Sequence, residues 1–177
     1  MAGQRATTGP HGIDVVTELL RRSGVPYEVV EHEATYSARA EARAAAAEPD
    51  ATAKTVALHD RDGYRLAVVP ASERLDVRRA RRALGATHHL RLATEEEMRE
   101  HFPAFDVGAI PPFAPGRLPE VVDIALLHHE RIVCAGGEHD RSVRIAPLDL
   151  LRLAEPRVAD ICEHPEDREQ AENLPSF

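Results

Sequence analysis

Two β-rich runs, residues 53–59 and 64–69, are joined by an Asp-Arg-Asp-Gly tetrapeptide at residues 60–63. An Asp-Gly step between apolar runs predicts a β-hairpin, because glycine readily adopts the positive φ that tight turns require. Helical spacing of apolar residues at 15–20 precedes the hairpin, and a capping box at 94–97 follows it. Helices and strands are therefore interspersed, which favours an α+β or α/β class. We predict one compact domain whose core is a mixed, mainly antiparallel β-sheet flanked by helices.

The length and charge of the chain predict its organisation. At 177 residues, with 43% hydrophobic and 29% charged residues, it suits a single domain with an ordinary core. Residues 163–177 carry five acids and one arginine. Their charge of −4 is half of the net charge of −8. Their low apolar content is typical of a segment that does not fold alone. We expect a flexible leader at residues 1–10, a folded domain at 11–162 and an acidic flexible tail at 163–177.

Composition disfavours several classes of function. Residues 1–10 lack the apolar region of a signal peptide, and no apolar run approaches the roughly 20 residues that span a bilayer. We therefore expect a cytoplasmic protein without membrane contact. The body is not basic, so it predicts no DNA binding and at most a small contact with RNA. The ten histidines and two cysteines show no HExxH or CxxC spacing, so we expect no metal and no cofactor.

Lys54 is the only lysine in a chain that has twenty-one arginines. Lysine offers a compact, rotatable ammonium whose pKa shifts readily, whereas arginine is a planar fork that stays charged. Lys54 also stands at the start of a strand-like apolar run, where a head group can meet a phosphate or carbonyl oxygen. The residue is a candidate for catalysis, and the alternative is an exposed strand residue left by chance.

A second unusual segment is the Gly-Ala-Ile-Pro-Pro sequence at residues 108–112. Glycine permits close approach of the backbone to a ligand, and consecutive prolines keep a chain stiff and extended. The N–H groups of Gly108, Ala109 and Ile110 remain as donors that could hold a water or an ester oxygen. The alternative is a structural turn, since glycine and proline commonly mark loops.

Taken together, these features resemble the YbaK/prolyl-tRNA-synthetase-associated domain family over about residues 25–160. The match depends on the order and spacing of several short segments. These segments are Val25-Pro26-Tyr27, Glu31-His32-Glu33, Ala53-Lys54-Thr55-Val56, Leu66-Ala67-Val68-Val69-Pro70, Leu84-Gly85-Ala86, Val107-Gly108-Ala109-Ile110-Pro111-Pro112-Phe113, Ala135-Gly136-Gly137 and Pro156-Arg157-Val158-Ala159-Asp160.

The resemblance implies a compact mixed-sheet domain that hydrolyses the aminoacyl ester of mischarged tRNA in trans, without a covalent protein intermediate. The essential lysine of the family falls on Lys54, and its Gly-x-x-x-Pro loop falls on residues 108–112. In such a mechanism the vicinal ribose hydroxyl helps to activate the attacking water. The implied partners are the acceptor end of an aminoacyl-tRNA and an aminoacyl-tRNA synthetase. The candidate substrate-binding residues are Gly108, Ala109, Ile110, Pro111, Pro112, Gly136, Gly137, Tyr36 and His32.

Two places depart from the family pattern: Ala114, where many relatives have glycine, and residues 138–141, which include His139. They leave open which amino acid is removed. Two other functions also stay open, a non-catalytic module that holds a synthetase or a tRNA end, and a regulator that binds a small nucleotide or phosphate. The arginines at 78, 79, 81 and 82 either guide the acceptor stem or form a solvated helix face.

Overall fold

The computed structural model describes residues 9–113 and 117–166. Most of the predicted leader and acidic tail, and Ala114, lie outside the described residues. No helix in these ranges combines the length and apolar content needed to cross a membrane. The helices are α1 (Ile13–Arg22), α2 (Ala38–Ala44), α3 (Val77–Leu84), α4 (Glu95–His101) and α5 (Pro147–Ala154), with 3-10 turns at Pro49–Ala51 and Ile124–His128. The strands are β1 (Glu28–Glu31), β2 (Thr52–Asp60), β3 (Gly63–Pro70), β4 (Arg91–Leu92), β5 (Glu120–Asp123), β6 (Ile132–Glu138), β7 (Arg141–Ile145) and β8 (Arg157–Ala159).

Local signals in the sequence account for the ends of several elements. The predicted hairpin is β2–β3, and Asp60 pairs with Gly63 at its turn, where Gly63 has a φ of 127°. The predicted capping box is also present, because Thr94 accepts a hydrogen bond from the Glu97 N–H while the Glu97 side chain accepts from the Thr94 N–H. These contacts fix the hairpin and the start of α4 without help from distant residues.

The strands form one sheet in the order β1-β7-β6-β2-β3-β5-β8, and β4 pairs with β2 beside this path. The sheet is mixed, as predicted, but the prediction that it is mainly antiparallel is wrong. Three of the seven pairings among the described residues are parallel, namely β2–β6, β3–β5 and β5–β8. Hairpin signals reveal only antiparallel neighbours, whereas parallel neighbours require long crossover connections that carry no local signature. The result is a single α+β domain.

The sheet has an apolar cluster on each face, because successive side chains of a strand point to opposite sides. Ala57 and Val68 belong to the cluster that packs against α1 and α5, whereas Leu58 and Val69 belong to the cluster that packs against α3. The central hairpin is therefore covered on both faces. It provides a rigid support for any residue that it carries.

Candidate active site

The candidate site is a gap along one edge of β2. On this edge β6 pairs with Thr52 and Ala53, and β4 pairs with Leu58 and His59. Between them, residues 54–57 have no strand partner on this side in the described part of the chain, although β3 pairs with them on the other side. The Ala57 carbonyl accepts from Ala93 across this edge. Because backbone direction alternates along a strand, the N–H and C=O of Thr55 also face the gap.

A cavity of about 300 Å³ occupies this gap. Its walls come from both faces of the sheet, since the cavity opens where the edge of β2 is uncovered. The cavity is lined by Tyr36, Ser37, Ala38, Glu41, Ala53, Lys54, Thr55, Val56, Ala57, Leu92, Ala93, Met98, Gly108, Ile110 and Ala135. Both unusual features of the sequence, the single lysine and the Gly-Pro loop, therefore contribute to one cavity.

Lys54 presents a partly buried ammonium group to the cavity. Its Nζ donates a hydrogen bond of 2.7 Å to the carbonyl oxygen of Glu73. Burial lowers the pKa of the Lys54 ammonium, and the nearby guanidinium groups of Arg39 and Arg74 act in the same direction. An ammonium has three N–H donors, and the other two have no acceptor among the described residues. Two donors therefore remain for an anionic or carbonyl oxygen.

The Gly-Pro loop is held against the end of β6. The Asp106 N–H donates to the Gly137 carbonyl at 2.9 Å, and the Ala109 N–H donates to the Asp106 carbonyl at 3.0 Å. Gly108 has a φ of 86°, a conformation that glycine adopts without steric cost. The N–H groups of Gly108 and Ile110 donate to no carbonyl among the described residues. They are available to a bound molecule.

The other predicted loop residues are buried beside the cavity and do not line it. Ala109, Pro111 and Pro112 are buried, whereas Gly108 is exposed. Only Gly108 and Ile110 of this segment border the cavity.

The glycine pair of β6 allows close packing of backbone. A Cβ on Gly136 would lie 2.6 Å from the carbonyl oxygen of Arg141. A Cβ on Gly137, whose φ is 90°, would lie 2.8 Å from the Cα of Gly12. Neither glycine lines the cavity, although the carbonyl of Gly137 anchors the Gly-Pro loop.

Tyr36 and His32 occupy different environments. Tyr36 borders the cavity with a side chain that is 81% exposed, and its ring centroid lies 4.7 Å from that of His139. His32 does not line the cavity. Its Nε2 lies 2.8 Å from Ser142 Oγ and its Nδ1 lies 2.8 Å from the carbonyl oxygen of Glu33. Tyr36 is thus placed to cover an entering ligand, whereas His32 contacts the cavity only through other residues.

The sequence did not reveal Glu41 or Thr55 as site residues. Glu41 is the only acid in α2, and burial raises the pKa of its carboxyl group. Thr55 has a buried hydroxyl oxygen that lacks a hydrogen-bond partner among the described residues. A lone acid in an alanine-rich helix was a possible signal for Glu41. For Thr55 we find no such signal, since threonine is common in strands.

Neither cysteine has the surroundings of a reactive thiol. Cys134 and Cys162 are both free and buried. Burial raises the pKa of both thiols, and the Cys162 thiol also donates a hydrogen bond to the Asp123 carboxylate. A buried thiol is inert, because the thiolate is the reactive form. Within the described ranges, no three histidine, cysteine or acidic side chains are grouped as metal ligands would be.

A second cavity, of about 270 Å³, shares no lining residue with the first. It contains Glu120, whose side chain is almost completely buried and has a carboxyl oxygen without a hydrogen-bond partner in the described structure. Burial raises the pKa of Glu120 to about 9. The cavity lacks the combination of lysine, glycine loop and open strand edge that marks the first.

The solved structures similar to this chain share its fold over most of its length. A proposed trans-editing enzyme for prolyl tRNA synthetase is 33% identical, with a TM-score of 0.76, and the match covers 86% of this chain and 97% of that one. A structure from work on computational grafting of epitopes onto scaffold proteins is 28% identical, with a TM-score of 0.75 and the same coverage. A hypothetical protein is 24% identical, with a TM-score of 0.75, and the match covers 84% of this chain and 99% of that one. The last of these shows the fold alone.

The family assignment comes from the sequence match. No curated protein matches this chain. Residues 32–153, which include Lys54, the Gly-Pro loop and the β6–β7 hairpin, match the family described as the aminoacyl-tRNA editing domain. This range is more than half of the chain. The chain therefore belongs to the aminoacyl-tRNA editing domain family.

Proposed function

We propose that this chain hydrolyses the ester of mischarged aminoacyl-tRNA in trans, in the cytoplasm, without a covalent protein intermediate. The proposal depends above all on one observation: Lys54, Gly108 and Ile110 line the same cavity at the uncovered edge of β2. A cation and preorganised N–H donors are the groups that stabilise the oxyanion formed in acyl transfer. Membership of the editing-domain family supports the same reaction.

The roles within the site follow from the available donors. Lys54 has two N–H groups to grip the phosphate or the ester oxygen of the terminal nucleotide. The N–H groups of Gly108 and Ile110 orient the attacking water or hold the carbonyl oxygen as it gains charge. Catalysis then depends on orientation and electrostatics. Buried thiols offer no covalent route through cysteine.

The walls of the cavity suit a small aminoacyl group. Val56, Leu92, Met98 and Ile110 provide apolar surface, and Ser37 and Thr55 provide hydroxyl groups. A synthetase cannot strongly reject a smaller or isosteric amino acid by binding alone, so a second site that admits it improves fidelity. Such a site needs only the acylated end of the tRNA, which reconciles a net charge of −8 with an RNA substrate.

A panel of misacylated tRNAs tests the proposal. Proline-specific tRNA that carries a smaller or isosteric amino acid in place of proline belongs in the panel, because a similar structure is a proposed trans-editing enzyme for prolyl tRNA synthetase. We expect the wild-type chain to release the amino acid from at least one substrate, with and without added synthetase, and the Lys54→Ala variant to release none above background. Tight binding of a tRNA end without hydrolysis would instead identify a non-catalytic module.

A further inference from the structure

A buried hydrogen-bond chain connects the cavity to a surface histidine. Ser142, in β7, is fully buried, and its Oγ lies 2.5 Å from Glu41 Oε1 and 2.8 Å from His32 Nε2. Glu41 lines the cavity, whereas the His32 ring is partly exposed to solvent. The three side chains come from α2, from β7 and from the segment after β1. They form a continuous path from the cavity to the outside.

The donors and acceptors in this path restrict where protons can be. A carbonyl oxygen only accepts, so the contact of 2.8 Å between His32 Nδ1 and the Glu33 carbonyl requires a proton on Nδ1. If Nε2 has no proton, Ser142 donates to it, and Glu41 must be a carboxylic acid that donates to Ser142. If Nε2 carries a proton, it donates to Ser142, which donates to a Glu41 carboxylate. The two arrangements differ by a proton moved from Glu41 to His32.

The surroundings of Glu41 act on its carboxyl proton in opposite directions. Burial raises the pKa of the Glu41 carboxyl, whereas the hydrogen bond from Ser142 and the positive charge of His32 and His139 lower it. Lys54 is the cation that shares the cavity with Glu41. The buried Cys134 thiol also lies close enough to feel the Glu41 charge. A carboxyl group whose pKa is raised in this way can accept and release a proton within one catalytic cycle.

We infer that Glu41 is the acid–base residue of this site and that Ser142 and His32 exchange its proton with solvent. The inference rests on the proposed function. The Glu41 carboxylate takes a proton from water as the water oxygen bonds to the ester carbonyl carbon. Glu41 then gives that proton to the ribose oxygen as the ester C–O bond breaks. The products are the free amino acid and a tRNA with its hydroxyl restored, and the acid proton of the amino acid passes to solvent.

The first test is single-turnover hydrolysis of the misacylated tRNA that the wild-type chain cleaves fastest. We expect Glu41→Gln to lower the rate at saturating enzyme about 100-fold or more, which is the usual contribution of a positioned acid or base. The enzyme concentration at half-saturation should change little. The wild-type rate should fall at low pH as Glu41 becomes protonated, and the variant should lose this dependence. Glu48→Gln, which replaces an exposed acid outside the cavity, is the matched control.

The second test needs no tRNA. In protein labelled with ¹⁵N in histidine and ¹³C in glutamate carboxyl groups, the His32 and Glu41 resonances should change together as pH is varied. In Ser142→Ala they should change separately, because the connecting hydroxyl is missing. His32 signals that are identical in the wild type, Glu41→Gln and Ser142→Ala would overturn the proton path. Circular dichroism verifies that each variant is folded.

The outcomes distinguish this inference from the proposed function. An active wild type whose Glu41→Gln variant retains its rate to within a factor of two would remove Glu41 from the chemistry and leave deacylation standing. A wild type that hydrolyses no member of the tRNA panel would overturn the proposed function together with the catalytic role of Glu41. The NMR titration would then still decide whether the proton path exists.

Discussion

The ammonium nitrogen of Lys54 is tied by a hydrogen bond of 2.7 Å to the main-chain carbonyl of Glu73, in the turn that follows β3. This contact joins the side chain of a residue near the start of β2 to the backbone just after the end of β3. It holds the ammonium in place before a ligand arrives. The side chain of Lys54 therefore loses its conformational entropy when the protein folds, and loses little more when a ligand binds. Preorganised charge of this kind is what favours catalysis over simple binding.

Replacement of Lys54 is expected to abolish hydrolysis and to leave the fold intact. Lys54→Ala should lower the single-turnover rate by about 100-fold or more, the range found when one oxyanion-stabilising donor is removed. Lys54→Arg should also be severely impaired, because a planar guanidinium does not replace a compact ammonium. Arg99→Ala, which removes an exposed cation of α4, should keep wild-type activity. A folded Lys54→Ala protein with wild-type turnover would refute the assignment.

Substitution of Gly108 is expected to reduce activity more than stability. The φ of 86° should cost any other residue roughly 1–2 kcal/mol, and a Cβ there would meet only His139, at 3.9 Å. Gly108→Ala and Gly108→Val should therefore remain folded but displace the N–H donors from the cavity. Gly24→Ala is a matched control, because Gly24 has a φ of 65° and nothing within 4 Å of the added Cβ. Equal rates for the Gly108 and Gly24 variants would make the loop merely structural.

The Glu120→Gln variant is expected to be more stable than the wild type, by an amount that increases as pH rises. Glu120 keeps its proton in the folded state up to about pH 9, whereas the unfolded carboxyl ionises near its ordinary value of 4.5. The protonated Glu120 side chain therefore costs the folded state nothing below pH 4.5. Between pH 4.5 and 9 the free energy of unfolding falls, because the unfolded chain can release this proton and the folded chain cannot. At pH 7 the loss is on the order of 3 kcal/mol, from 1.36 kcal/mol per pH unit.

Urea unfolding of wild type and Glu120→Gln between pH 5 and pH 8.5 measures this effect. The free energy of unfolding of the variant, minus that of the wild type, should increase at each higher pH. Glu130→Gln, at an exposed position, should show no such trend. A difference between Glu120→Gln and wild type that does not vary with pH would mean that Glu120 is ionised in the folded protein.

Binding to RNA is expected to depend weakly on salt. Without its tail the chain has a net charge of −4, so we expect one or two phosphate contacts and a slope of log affinity against log salt of roughly −1 to −2. A substrate that carries only the acylated terminal nucleotides should keep much of the reactivity. A slope several times steeper, with the truncated substrate inert, would show that the protein contacts far more of the tRNA.

The arginines of α3 can be tested in the same titration. Arg78 and Arg82 are exposed, whereas Arg79 is held by Asp76 and Asp160. Replacement of Arg78 and Arg82 by alanine should make the slope less negative only if α3 contacts the acceptor stem. Arg131→Ala, an exposed cation outside α3, is the control. An unchanged slope would identify this cluster as an ordinary solvated face.

The sequence predicted what is encoded locally. The β2–β3 hairpin and the capping box of α4 were confirmed, since neighbouring residues determine both. Family membership was confirmed as well. The roles of Lys54 and the Gly-Pro loop stay predictions, although both line the same cavity.

What the sequence could not predict depends on distant contacts. The parallel pairings arise from crossovers, and they explain why the sheet is not mainly antiparallel. Glu41 acquires its environment from Ser142, which is 101 residues away. Ser142 also contacts His32, 110 residues distant in the chain. No periodicity or motif connects positions so far apart.

The short gap between β6 and β4 also affects how the protein behaves beside other copies of itself. An uncovered strand edge is a template on which a strand of another molecule can pair, and long flat edges promote aggregation. Here the stretch of β2 without a strand partner on this side is only residues 54–57 in the described structure, with a strand paired at each end of it. Such a stretch is too short and too enclosed to accept a foreign strand. The unpaired backbone groups of β2 are thus accessible to a small ligand but not to a strand of another molecule.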